Sequence, residues 1–148
     1  MIFNELADLL EARYPGQSHR FFAPLAIGDT PESADAGAEL ILSGIKTTTS
    51  SAVWDYPDGR IPFVGALSVL LDGKGQPRAI IETRRVEILP FKDIDEDFAK
   101  AYGEGDRTLA WFKLEVGAWY KQSARRAGEL FTGDTRIICE WFYVAAKL

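Results

Sequence analysis

The sequence predicts an α+β domain, with helices packed around a small, curved, mainly antiparallel sheet or barrel. Three observations predict it. Apolar residues recur at helical spacing in residues 1–13 and 31–43, and again after residue 93. Strand-like apolar stretches occupy 65–71, 78–89 and 135–146. Finally, 148 residues of which 47% are hydrophobic and 12% aromatic suit one domain with one core.

The elements follow in order. Ile2, Leu6, Leu9 and Leu10 form an apolar helical stripe that ends at the "YPG" of Tyr14–Gly16. "HRFFAPLAIG" reads as a short extended or irregular piece. Thr30 before Pro31 is an N-cap and first-turn pair. The helix they open runs through Ala34, Ala38 and Ile41 and stops at Gly44. Lys46 to Tyr56 is ambiguous, because its threonines favour strand while hydroxyls before Ala52, Val53 and Trp54 also fit a capped short helix. "YPDGRIP" is loop. "GALSVLLDG", the turn Asp72–Pro77 and "RAIIETRRVEIL" make a hairpin over 65–89. "DIDEDFAKAYGEG" is a short acidic helix, "DRTLAWFKLEVGAWYKQSARRAG" a longer one with Asp106 as N-cap, and "TRIICEWFYVAA" a final strand.

Composition narrows the chemistry. Net charge is −5 and the pI about 4.9, which argues against salt-driven binding to long nucleic acid but leaves room for a local basic groove or a small nucleoside. One cysteine, Cys139, permits no internal disulfide and makes a reducing cytoplasm the default expectation. The acidic amphipathic N-terminus is unlike a signal peptide, and no apolar run approaches the roughly 18 residues of a membrane span, so no membrane partner is expected. A single histidine, His19, argues against a histidine metal site or a Ser-His-Asp triad. Phosphate-loop glycine patterns are missing. No metal or cofactor is expected. Any catalysis rests on Lys, Ser/Thr, carboxylates or backbone N–H groups.

Several residues qualify. In "GIKTTTSS", Lys46 precedes five hydroxyl residues, Thr47 to Ser51. A lysine can activate a hydroxyl when its own pKa is lowered by burial, or it can donate to a ligand oxygen; equally, it can be a solvated charge beyond a helix end. On the strand 79–89, Glu82 and Arg84 share a face with Ile80, Val86 and Ile88, so Glu82 is either a site carboxylate or half of a structural pair with Arg84. Glu140 stands among Ile138, Phe142 and Val144 in the last strand and is either a second site carboxylate or a satisfied structural one. "GEGD", Gly103–Asp106, stops one helix and caps the next, or places Glu104 and Asp106 over a ligand. Lys121, Arg125 and Arg126 form a basic helix end suited to the dipole or to phosphate. Trp54, Trp111, Trp119 and Trp141 read first as core, with base stacking as the alternative use.

Taken together, Gly44-x-Lys46-x-x-Thr49 after an acidic Ala/Leu-rich helix, then "VGALSVLLDGKGQPRAIIETRRVEILPF", "FAKAYGEGDRTL" and the closing "ICEWF" resemble the ASCH domains. The resemblance covers about 27–145 of a single domain over 1–148, with 1–26 as an N-terminal helical extension. It implies a PUA-like β-barrel fold and an RNA-related or nucleoside-related role. Family members are linked to RNA binding, and some are similar to ribonucleases. A shorter bacterial branch removes the acyl group of N4-acetylcytidine with a lysine, a threonine three residues later and a strand glutamate. Lys46 matches that lysine, Thr49 the threonine, and Glu82 is the candidate for the glutamate. Ser51 stands where that branch has arginine, and Phe112 and Val116 stand where longer members have Trp and His.

The resemblance thus implies a nucleobase-binding cleft in which Thr49 Oγ attacks an exocyclic acyl carbonyl. Lys46 takes its proton or polarises the carbonyl, and Glu82 serves the leaving nitrogen. Arg84, Glu104, Asp106, Lys121, Ser123, Arg125 and Glu140 are the candidate ligand or RNA contacts. A non-catalytic RNA-recognition module is the alternative, and RNA cleavage by Lys46 with a hydroxyl such as that of Ser123 is another. The expected partner is a nucleoside or short RNA, and oligomeric state is left open, a homodimer included.

Overall fold

Five strands order as β1-β3-β4-β5-β2 in one open sheet: β1 (Phe21–Leu25), β2 (Thr48–Ala52), β3 (Leu67–Leu71), β4 (Pro77–Pro90) and β5 (Arg136–Lys147). The computed structural model describes residues 3–148, so Ile2 of the N-terminal pattern lies outside the described residues. The β1–β3 pair is parallel and the other three pairs are antiparallel. The architecture is therefore α+β with a curved, mainly antiparallel sheet that does not close into a barrel.

Curvature comes from β4. Thr83 faces Phe142 and Arg85 faces Trp141, so Arg84 is an extra residue without a cross-strand partner. Such a bulge bends the strand and breaks its alternation. This rules out the Glu82–Arg84 pair, one of the two readings of Glu82. Arg84 is expelled to solvent, and Glu82 pairs instead with Arg20, whose Nη2 lies 2.8 Å from Glu82 Oε1.

The helices cover both faces, which is why the central strands are apolar on both sides. Helix α1 (Phe3–Arg13) lays Leu6 and Leu10 on Leu67, Val69 and Ile80. Helix α2 (Pro31–Leu42) lays Ala38 and Ile41 on Leu70, Ala79, Ile81 and Phe142. Thr30 caps α2 as the sequence predicts, its hydroxyl accepting from Ser33 N at 3.1 Å. The ambiguous 46–56 segment resolves into both forms: strand β2, then a 3₁₀ turn Val53–Asp55.

The third cluster lies beneath α3 (Glu96–Tyr102), α4 (Leu109–Trp111), a π-helical turn (Phe112–Val116) and α5 (Gly117–Ala127). It joins Phe91, Phe98, Phe112 and Tyr120 to Ile137 and Cys139. The cap of the long helix differs from expectation. Thr108 is the N-cap, its hydroxyl accepting from Trp111 N at 3.0 Å, while Asp106 accepts from Thr108 N and Oγ1. Asp106 and Thr108 form a nested turn, and the residue nearer the helix takes the cap. Phe112, at the position where longer ASCH members have Trp, is fully buried in this cluster.

Candidate functional site

Strand β2 is held between β5 and α3. Thr47 N donates to Ala101 O at 2.8 Å, and Thr48 Oγ1 donates to Phe98 O at 3.2 Å. These bonds fix the hydroxyl run and turn alternate residues to opposite sides. Thr48 and Ser50 face the helices, and the Ser50 hydroxyl meets Tyr120 OH at 2.7 Å. Thr49 lies directly across from Glu140 in the β2–β5 register. Residues so opposed have Cβ atoms about 4.5–5.5 Å apart.

A cleft of about 580 Å³ opens along β2. Thr49 and Ser50 form one wall, the segment after β1 another, and the π-helical turn with α5 a third, contributing Glu115, Val116, Trp119, Tyr120, Ser123 and Arg126. Tyr102, Glu104, Trp111 and Asp55 complete it. Bringing Glu115 and Val116 to the wall is the local consequence of the wider turn, a feature that recurs at ligand sites. A smaller pocket of about 230 Å³ adjoins it, shares Leu25, Thr49 and Ser50, and contains Glu140.

Lys46 is 1% exposed and so is not a surface charge. Its Nζ lies 2.8 Å from Glu104 Oε2, donates to Tyr102 O at 3.1 Å and sits 3.3 Å from the Tyr102 ring centroid. Burial pulls its pKa down from 10.5 to about 8, and the Glu104 carboxylate opposes part of that fall. Glu104 Oε2 is itself buried and makes no aligned hydrogen bond, so the ammonium beside it is its electrostatic partner. Two glycines make this contact possible. Gly103 has φ +75°, and a Cβ there would stand 2.7 Å from Ile45 O; Gly105 has φ +62°, and a Cβ would stand 2.1 Å from Trp111 Cε2. Glu104 is thus wedged between the backbone around Lys46 and an indole, with 26% of its side chain open to the cleft.

Glu140 is the other unusual carboxyl. No described side chain hydrogen-bonds or ion-pairs with it, and burial alone raises its pKa from 4.5 to about 7. Tyr102 and Tyr120 are also raised by burial, so both remain neutral hydroxyls.

The sequence candidates therefore separate. Thr49, Glu104 and Ser123 line the larger cleft, and Glu140 faces Thr49 in the adjoining pocket. Lys46 lies behind Glu104. Glu82 lines neither pocket and is engaged by Arg20. Arg84, Lys121 and Arg125 are exposed and outside the linings, as is Asp106, while Arg126 reaches the wall. Ser123 accepts from Trp54 Nε1 at 2.8 Å. Ser51, at the arginine position of the amidohydrolase branch, accepts from Tyr56 OH at 3.0 Å. Sequence reasoning missed Ser50, Tyr102 and Tyr120, and Trp111 and Trp119 take the cleft position that was only the alternative to a core role. Strand alternation from Thr48 to Ser50 was the signal available for the first of these. Among the described residues no cluster suited to a metal occurs, and no helix is long and apolar enough to cross a membrane.

An open, curved α+β sheet with a hydroxyl- and carboxylate-lined cleft beside its edge strand defines a domain of the PUA-like kind. The chain belongs to the ASCH domain family, whose model matches residues 23–146. It is similar to the crystal structure of an ASCH domain from Lactobacillus crispatus, with 28% identity and a TM-score of 0.84 over 96% of this chain and 95% of that one. It is also similar to a protein of Enterococcus faecalis, with 26% identity and a TM-score of 0.81 over 99% and 96% of the two chains. No curated protein matches the sequence.

Proposed function

We propose that the cleft binds a nucleobase-bearing small molecule and hydrolyses an N-acyl amide on it, with Thr49 as nucleophile and Glu140 as general base and acid. The observation that carries this reading is the unpartnered Glu140 carboxyl, with a pKa of about 7, directly across from Thr49. A group with a pKa near neutrality can both accept and return a proton, the requirement for a two-step acyl transfer.

The steps balance. Thr49 Oγ bonds to the acyl carbon while Glu140 takes the hydroxyl proton. The C–N bond breaks as Glu140 gives that proton to the leaving nitrogen. Water then attacks the threonyl ester, loses a proton to Glu140, and the ester oxygen recovers it. An amide and water become an amine and a carboxylic acid. Lys46 acts as a positioning residue, holding Glu104 as a fixed, charged acceptor for an N–H of the ligand.

The charge of the wall favours a ligand without phosphates. Asp55, Glu104 and Glu115 face a single guanidinium, that of Arg126. Trp111 and Trp119 supply flat apolar surface for a base. The RNA-recognition reading has one observation in its favour, Arg126 at the wall beside exposed Lys121 and Arg125. It predicts salt-sensitive binding of short RNA, and a flat RNA titration removes it.

Incubation of the protein with N4-acetylcytidine, followed by chromatography for cytidine, tests the hydrolytic reading. Release of cytidine is expected, and untouched substrate overturns the reading. The pH profile adds a second expectation. Glu140 must be ionised to accept the first proton, so activity rises through about pH 7; Lys46 must be charged to hold Glu104, so activity falls above about pH 8. A narrow bell in kcat/KM is expected, and a profile flat from pH 6 to 9 contradicts these roles.

A further inference from the structure

We infer that the smaller pocket beside Thr49 is an acyl subsite, and that it selects acyl groups longer than acetyl. The inference rests on the hydrolytic reading of the cleft and adds the part of the substrate that reading leaves unspecified.

The two cavities divide a substrate at the scissile bond. Leu25, Thr49 and Ser50 border both, so the nucleophile stands on the wall between them. The larger carries the tryptophans suited to a base. Phe22, Pro24, Leu25, Ile81 and Phe142, contributed by β1, β4 and β5, give the smaller an apolar side, facing the hydroxyl residues Ser51, Tyr56, Ser68 and Thr83. An amide placed over Thr49 with its base in the larger cleft directs its acyl group into the smaller pocket. Glu140 borders that pocket directly across from Thr49, so it stands beside the scissile bond where the two cavities meet.

Size then sets the preference. A volume of about 230 Å³ corresponds to roughly seven to eight water-sized groups, each occupying about 30 Å³. An acetyl group places one methyl beyond its carbonyl and leaves most of that space unfilled. Each further methylene buried against the apolar wall strengthens binding of ground and transition state, by about three- to fourfold in kcat/KM. The gain ends when the pocket is full.

The test is the dependence of kcat/KM on chain length across N4-acylcytidines from acetyl to octanoyl. The wild type is expected to gain about threefold or more per methylene at first, reach a maximum in the middle of the series and decline beyond it. Ala23→Leu and Ser68→Val each fill the smaller pocket from a separate strand and are expected to move the maximum towards acetyl. The wild-type profile decides the matter if a variant fails to fold. A wild type that cleaves every member equally, or prefers acetyl, overturns the acyl subsite and leaves the hydrolytic reading standing. A wild type that cleaves none overturns both.

Discussion

Thr49→Ala is expected to lower deacylation of N4-acetylcytidine by at least about 10³-fold, while the variant keeps the wild-type circular dichroism and melting behaviour. The hydroxyl at residue 49 is only partly buried and appears in no hydrogen bond of the fold. Its neighbours differ: Thr48 bonds Phe98 O, Ser50 bonds Tyr120 and Ser51 bonds Tyr56. Thr47 and Thr49 are the members of the run whose hydroxyls make no such bond, and of the two Thr49 lines the cleft. Thr49→Ser retains the oxygen and should keep substantial turnover. Glu140→Gln keeps the shape of the side chain but removes its proton traffic, with an expected loss of about 10²- to 10⁴-fold. Turnover by Thr49→Ala at more than a tenth of the wild-type rate contradicts its assignment as nucleophile.

Lys46→Met is expected to lower turnover by about 10²-fold or more without a matching loss of stability. A buried ion pair that supports a fold costs about 3–5 kcal/mol when one partner is removed. Lys46 is different because its burial outweighs its attraction to Glu104. The fall of its pKa from 10.5 to about 8 corresponds to a penalty on the order of 3 kcal/mol for keeping the ammonium charged at neutral pH. Methionine removes that penalty and retains most of the apolar stem. Losing the bond to Tyr102 O and the partner of Glu104 costs about 1–3 kcal/mol. The net stability change should stay within about 2 kcal/mol.

The pH dependence separates the two proteins further. Between about pH 8 and 10.5 the unfolded wild type holds more protons than the folded one, so its stability should rise with pH relative to the variant. Below pH 8 the lysine is charged in both states and the difference is constant. Chemical denaturation at pH 7 and pH 10 measures it. A loss of 4 kcal/mol or more in Lys46→Met (about the cost of breaking a supportive buried pair) would show that the lysine serves the fold instead of the site.

Much of the fold was legible because short-range signals and burial agreed. The Thr30–Pro31 start of α2, the Asp72–Pro77 hairpin turn and the long apolar strands each have a local cause that tertiary packing reinforced. The Glu82–Arg84 pair failed for a different reason. Period-2 alternation presumes an unbroken ladder, and the bulge at Arg84 arises from how β4 bends against β5, which no local signal in "ETRRVE" announces. The site was legible as residue types but not as partners. The resemblance grouped Lys46 and Thr49 with Glu82, while Glu104 and Glu140 stood as separate candidates. That Lys46 answers to Glu104 and Thr49 to Glu140 depends on α3 docking beside β2 and on the β2–β5 register, both long-range. The tyrosines and tryptophans of the cleft were hidden among core aromatics because Tyr102, Trp111 and Tyr120, from α3, α4 and α5, both pack in the core cluster and line the wall.

The most direct test of the central claim is a crystal structure of Thr49→Ala soaked with N4-acetylcytidine. The account predicts the base in the larger cleft beside Trp111 and Trp119, Glu104 accepting an N–H of the ligand, and the acyl group pointing past residue 49 towards Glu140. A nucleoside bound on the exposed face of Lys121 and Arg125, with the cleft empty, would contradict it.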